Sequence, residues 1–215
     1  MLKYASFASL IRFTDINLRK KHAGVIPERL TSRRFIMPDT PDIKTRPSWD
    51  EYFMELAFVV SKRSTCLSRH VGAVIVKDKR IMTTGYNGAP SGIESCLERG
   101  YCIRREQGCN SGTNLEICRG SHAEENAIVQ AAKFGISLSG GTVYCTHQPC
   151  LICSKMIINA GIRRVVFKGS YPHEMSLEMF RDVKIELFHF DKEIPGMNVA
   201  GEFQGEGISD CGCGS

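Results

Sequence analysis

Four side chains have the types and spacing to hold a metal and move protons: His122 and Glu124 in His122-Ala123-Glu124, and Cys150 and Cys153 in Pro149-Cys150-Leu151-Ile152-Cys153. A Cys-x-x-Cys pair at the start of a helix brings two sulfurs near enough to share one ion. The positive end of that helix lowers thiol pKa and favours thiolate. One imidazole from a neighbouring helix completes three protein ligands, leaving a fourth position for water, which is the arrangement of a catalytic rather than a closed structural zinc. Zinc acidifies such a water into a hydroxide nucleophile. Glu124 lies two residues after His122 and points elsewhere on the same turn, so it is placed to carry protons without ligating the metal. A Cys-x-x-Cys pair alone reads equally well as structural zinc or a redox dithiol. The His-x-Glu about 25 residues upstream favours the catalytic reading.

The elements that must position these groups are legible as alternating helix and strand signals. Ser48 is placed to cap a helix from Trp49 to about Ser64, with Phe53, Leu56, Ala57 and Val60 on one face. Val71 to Val76, the turn Lys77-Asp78-Lys79-Arg80 and Ile81 to Tyr86 predict an antiparallel hairpin. Residues 92 to 120 form a cysteine-rich insertion with weak periodicity. Beyond it, His122 to Phe134 reads as a helix stopped by Gly135. Thr142 to Thr146 follows as a strand, Cys150 to Ala160 as a helix and Arg164 to Phe167 as a strand. A short helix near Met175 to Phe180 and a strand Lys184 to Phe188 complete the body. The order ββαβαβαβ predicts an α/β protein with helices covering a mixed sheet of about five strands.

The chain of 215 residues is 42% apolar and 24% charged, which fits one globular domain of ordinary size. Its longest apolar runs are far shorter than the roughly 18 to 20 residues that cross a bilayer, so no membrane partner is expected. Residues 1 to 46 carry ten Lys or Arg against four Asp or Glu, which leaves eighteen against nineteen over the rest. A nearly neutral body is a poor nucleic-acid reader, since sequence-independent binding needs a concentrated basic face. The basic leader, residues 1 to 47, ends in Met37-Pro38-Asp39-Thr40-Pro41-Asp42, which reads as a linker. It admits three readings: an over-long start with Met37 as the true one, a flexible extension, or an organelle transit peptide. A domain over residues 48–190 and a Gly-rich tail over 191–215, which includes Cys211 and Cys213, make up the remainder. Ten cysteines without an export signal point to metal ligation in a reduced, cytoplasmic setting, with Cys145 a core residue.

His122-x-Glu124 followed by Pro149-Cys150-x-x-Cys153 matches the zinc nucleobase deaminase signature. More narrowly, Cys66 through Asn87, with Gly85-Tyr86-Asn87-Gly88-Ala89-Pro90, resembles the deoxycytidylate (dCMP) deaminase family within the cytidine deaminase superfamily. So do His122-Ala123-Glu124-Glu125-Asn126-Ala127-Ile128 and Thr146-His147-Gln148-Pro149-Cys150. The resemblance covers roughly Trp49 to Phe190, and extends to the late-competence protein of the ComE operon that shares this domain. It implies a three-layer α/β/α fold and hydroxide attack at pyrimidine C4 after Glu124 protonates N3, with dUMP as product. It also implies Asn87 near the deoxyribose hydroxyl and the Ala123 N–H near the pyrimidine carbonyl. His147 either lines the base pocket or satisfies a loop, and Tyr171 either approaches the nucleotide or packs.

Some members of that family carry a structural zinc with ligands before the first strand and after the second, positions that Cys66 and Cys96 match. With Cys102 and Cys118 they would make a closed tetrahedral site, leaving Cys109 spare. Free or disulfide-linked thiols are the alternative, because the 5-, 6- and 8-residue gaps in the insertion are no standard finger spacing. The resemblance further implies a homohexamer, activation by dCTP, inhibition by dTTP and magnesium accompanying the nucleotide. Gly85, Tyr86 and Gly88 are candidate effector contacts. Other deaminase readings are a free cytosine nucleoside, a riboflavin precursor or a tRNA base. A nucleotide-binding competence protein without turnover is the non-enzymatic one.

Overall fold

A capping box opens the first helix: the Ser48 N–H donates to Glu51 Oε2 at 2.6 Å and the Glu51 N–H to Ser48 Oγ at 3.3 Å. The computed structural model describes residues 46–110, 113–170 and 174–194. In chain order the elements are α1 (Trp49–Ser61), β1 (Gly72–Lys77), β2 (Arg80–Tyr86), α2 (Cys96–Arg99) and α3 (Ile103–Glu106). After a 3₁₀ turn at Leu115–Ile117 come α4 (Ala123–Lys133), β3 (Thr142–His147), α5 (Leu151–Asn159), β4 (Arg164–Gly169), α6 (Glu174–Asp182) and β5 (Glu186–His189).

The sheet runs β2-β1-β3-β4-β5. β1 is antiparallel to both β2 and β3, while β3, β4 and β5 are parallel, so the sheet is mixed as expected. Asp78 (φ 51°) and Lys79 (φ 60°) both turn left-handed in a two-residue loop, the conformation that matches the twist of a hairpin. One face of the sheet is covered by α1, whose Phe53, Met54, Ala57 and Phe58 cluster with Val74, Val76, Tyr144 and Val166. The other face carries α4, α5 and α6, with Ala127, Ile157 and Phe180 packed on Ile75, Val143, Cys145 and Val165. The architecture is three-layer α/β/α. Cys145 is fully buried in that second core. No helix among the described residues is long and apolar enough to cross a membrane.

Three expectations need correction. Helix α1 ends at Ser61 rather than Ser64, because residues 62–64 switch to i→i−3 bonds (Lys62 to Val59, Arg63 to Val60, Ser64 to Ser61) that tighten the last turn. Its buried stripe runs through Phe53, Met54, Ala57, Phe58 and Ser61, with Leu56 and Val60 at the margin and only partly buried. The last strand starts at Glu186, since Lys184 takes a left-handed φ of 58° that an extended strand excludes.

Helix α4, which carries the start of the candidate site, lies unusually close to β2. Thr83 Oγ1 donates to the Ala127 carbonyl at 3.0 Å, and Asn126 Nδ2 to the Tyr86 carbonyl at 2.8 Å. A Cβ on Gly85 would collide with the Ala123 carbonyl oxygen and come within 2.5 Å of the Ala127 nitrogen, both backbone atoms. Close passage of a helix is thus the physical requirement that Gly85 meets. Gly85→Ala is expected to cost about 1–3 kcal/mol by overpacking. At roughly 2–4 °C per kcal/mol, its melting temperature should fall by several degrees. Thermal unfolding checks this, and an unchanged midpoint would mean that α4 has room to move.

Candidate active site

His122 and Cys150 are the N-cap residues of α4 and α5, each with extended backbone (φ −75°, ψ 161° and φ −71°, ψ 170°). The two helix starts meet at the carboxyl ends of the parallel strands β3 and β4, where open α/β sheets place their ligands. His122 Nδ1 lies 3.3 Å from Cys150 Sγ and 3.4 Å from Cys153 Sγ. Among the described residues these three form the one group of potential ligands whose donor atoms all lie within 4.8 Å of one another. Ideal Zn–S and Zn–N lengths at a tetrahedral angle separate sulfur from nitrogen by about 3.6 Å. The two thiols and one imidazole therefore fit a zinc ion with adjustments of a few tenths of an ångström, and provide three of its four positions.

The local electrostatics follow from burial and mutual hydrogen bonding. The Cys150 thiol is drawn down to about 4, chiefly by its hydrogen bond with Cys153 and against its own burial, with His122 also bonding it. Cys153, the other half of the pair, is pushed well above the usual thiol range by the Cys150 bond and by burial. His122 rises to about 9, first through its bond to Cys150. Glu124 is only 4% exposed, and loss of hydration pushes its carboxyl up to about 7. A carboxyl in that range is suited to taking and giving protons near neutral pH.

His122, Glu124 and Cys150 open on one cavity, whose wall also includes Ala123, Asn87, Gly88 and His147. Ala123, the first residue of α4, is fully buried there. His147 is buried with Nδ1 3.2 Å from Thr146 Oγ1, and desolvation followed by the charge of Arg69 lowers its pKa to about 4, leaving it neutral. The Asn87 side chain clamps the preceding loop, accepting from the Val71 N–H and donating to the Arg69 carbonyl, both at 2.8 Å. Each end of the amide retains one further proton or lone pair for a ligand. Gly88 exchanges backbone hydrogen bonds with Ser121 at 3.1 and 2.9 Å, which fixes the approach to His122. Tyr86 is exposed. Tyr171, Cys211, Cys213, Met37 and most of the leader and tail lie outside the described residues.

Cys66, Cys96, Cys102 and Cys118 line another part of the same cavity. The first two segments are tied together by the Leu97 N–H to the Thr65 carbonyl at 3.2 Å, and Cys66 Sγ accepts from the Ser68 N–H at 3.4 Å. Cys96 has its thiol pushed up by burial, then by the neighbouring Cys102, Cys66 and Cys118. Their donor atoms are not gathered as tightly as those of His122, Cys150 and Cys153. Cys109 bonds instead with Asn114 Nδ2 at 3.4 Å.

Residues 47–168 match the family model for the cytidine and deoxycytidylate deaminase zinc-binding region. The chain belongs to this family. It is 38% identical over 189 residues to the deoxycytidylate deaminase of Schizosaccharomyces pombe, covering 86% of this chain and 56% of that protein. The chain thus spans about half the length of that relative. ComE operon protein 2 of Bacillus subtilis is 40% identical over 152 residues, 69% of this chain and 76% of that one. Among solved structures, the dCMP deaminase of cyanophage S-TIM5 in complex with dCMP and dUMP is similar at 33% identity. That match has a TM-score of 0.55 and covers 68% of this chain and 99% of that one.

Two cations of this deaminase domain's cavity were not singled out by sequence reasoning: Arg69 and Arg104. Each stands two or three residues after a cysteine of the second cluster, Cys66 and Cys102. Proximity to candidate ligands was the available signal.

Proposed function

We propose that this chain hydrolyses dCMP to dUMP and ammonia, supplying dUMP for dTMP synthesis. The observation that carries this reading is the buried carboxyl of Glu124 in the cavity lined by His122 and Cys150, with Cys153 completing their group of potential ligands. Likeness to a deaminase solved with dCMP and dUMP supports the choice of substrate. When bound, zinc would supply Lewis acidity that brings the pKa of a water toward neutrality. Glu124 gives a proton to pyrimidine N3 and later carries one to the departing amino group, so that one water is consumed for each ammonia released. Ala123 N–H meets the pyrimidine carbonyl, His147 walls the base and Asn87 takes the deoxyribose hydroxyl.

In the same reading Cys66, Cys96, Cys102 and Cys118 hold a second, structural zinc that staples an insertion poor in apolar residues. The deaminase domain spans residues 48–190 between the basic leader and the Gly-rich tail. The enzyme works in the cytoplasm as a homohexamer, activated by dCTP and inhibited by dTTP, with magnesium on the nucleotide and effector contacts at Gly85, Tyr86 and Gly88.

The test is deamination of dCMP against deoxycytidine, followed by ultraviolet absorbance with zinc-loaded protein, dCTP and magnesium. Fast loss of dCMP alone is expected. Turnover of deoxycytidine alone would make this a nucleoside deaminase. Turnover of neither would favour another base or, given the likeness to a ComE operon protein, nucleotide binding without catalysis.

A further inference from the structure

The turn of the β1–β2 hairpin and the first turn of α1 border an open groove of about 810 Å³. It lies at the end of the sheet away from the candidate active site. Val76, near the end of β1, pairs with Thr142 at the start of β3, whereas His147 closes β3 at the other end. Arg46, Lys79 and Arg80 line the groove with Trp49, Tyr52 and Ile81, and no carboxylate is among its lining residues. None of these three cations enters an ion pair with a described residue. Trp49 and Tyr52 are 40% and 41% exposed. Cations and bare aromatic surface side by side suit an occupant that carries carboxylates and a large apolar side chain. A stacked base suits them less, since Trp49 already stacks on Phe53 at 5.5 Å and has Arg46 and Lys79 over its ring.

The chain itself supplies such an occupant. After Lys192 the sequence holds Glu193, Glu202, Glu206 and Asp210 and no Lys, Arg or His, with Phe203 and Ile208 set among the acids. The described body also leads this segment to the groove. Lys192 Nζ donates to Glu51 Oε1 at 2.8 Å on the first turn of α1, and Ile194 is buried in the cluster that holds Phe53. Glu202 follows Ile194 by eight residues, a reach of up to about 26 Å, which spans several turns of helix. A segment tethered at this range meets the groove at about millimolar effective concentration, so an intrinsic affinity of about 0.1 mM keeps the groove occupied about nine-tenths of the time.

We propose that residues 202–210 dock in this groove, their carboxylates on Arg46, Lys79 and Arg80 and Phe203 against Trp49 and Tyr52. The acidic tail then covers a cationic, aromatic face of its own chain. Docking here does not depend on the deaminase reading, because the groove and the catalytic cavity share no residue.

Trp49 is the one tryptophan of the chain, so its fluorescence reports the groove directly. The full chain is compared with the same chain carrying Glu202→Gln, Glu206→Gln and Asp210→Asn. Losing three exposed ion pairs weakens the contact about tenfold and takes occupancy from about nine-tenths to about half, so acrylamide quenching of Trp49 should rise at least about twofold. High salt should do the same to wild type by screening the pairs. Lys79→Glu with Arg80→Glu should expose Trp49 as well, and adding Glu202→Lys, Glu206→Lys and Asp210→Lys to that pair should restore the shielding. Wild-type Trp49 as accessible as in the neutral-tail protein, or a charge swap that restores nothing, would overturn the docking. Shielding that fades on dilution would give the groove to the tail of a second copy, and shielding indifferent to tail charge would give it to another occupant. Either result overturns the contact within one chain.

Discussion

Glu124→Gln is expected to lower kcat for dCMP deamination by about 10²- to 10⁴-fold, the usual contribution of a positioned acid–base group, with metal content and melting temperature near wild type. The substitution preserves shape and hydrogen-bonding capacity but removes the group that gains and loses a proton. Glu124 is the first-turn residue of α4 that burial pushes up to about 7, and no other carboxylate lines the cavity. A neighbour is therefore not available to take over both transfers, at ring nitrogen and leaving amine. Stability should hold because a neutral amide replaces a carboxyl whose ionised form is disfavoured by burial. Steady-state kinetics with metal analysis on the same sample decide the matter. Full turnover in a metal-loaded Glu124→Gln protein would remove Glu124 from the mechanism.

How much of this was legible in advance follows from what each signal depends on. The ligand set was readable because His122 and Cys150 announce themselves twice, as metal-binding types and as residues that open helices. The capping box at Ser48 and the two-residue turn Asp78-Lys79 are local, and local chemistry decides them. By the same logic the Ser95-x-x-Glu98 box that starts α2 stood in the sequence, hidden inside an insertion whose periodicity is weak. Other features depend on partners far along the chain. The burial of Met54 and Phe58 in place of Leu56 and Val60 is set by how α1 lies across β1 and β3. Gly85 looks like loop chemistry until the helix crossing over it is seen. Arg104 is one of many arginines until the fold buries its Nε without a partner.

The cysteines separate the two metal assignments. Cys150→Ser is expected to remove one ion per chain and bring turnover to background, since it leaves two protein ligands where catalysis needs three and an open position. Its melting temperature should drop little, because Cys150 caps a helix already fastened by the Ser154 side chain and N–H to the Cys150 carbonyl, at 2.9 and 2.8 Å. Cys102→Ser should also remove one ion, but chiefly lower the melting temperature, since α2 and α3 are four residues each and depend on the thiols around them. Cys109→Ser should retain both ions, because that thiol faces Asn114 and lies outside the cavity wall. Metal analysis and thermal unfolding of the three variants read all of this at once. One ion in wild type and in Cys109→Ser, with Cys102→Ser unchanged, would reduce the second cluster to four packed thiols. The site built on His122, Cys150 and Cys153 would be untouched by that result, since its ligands come from the starts of α4 and α5 and not from the insertion.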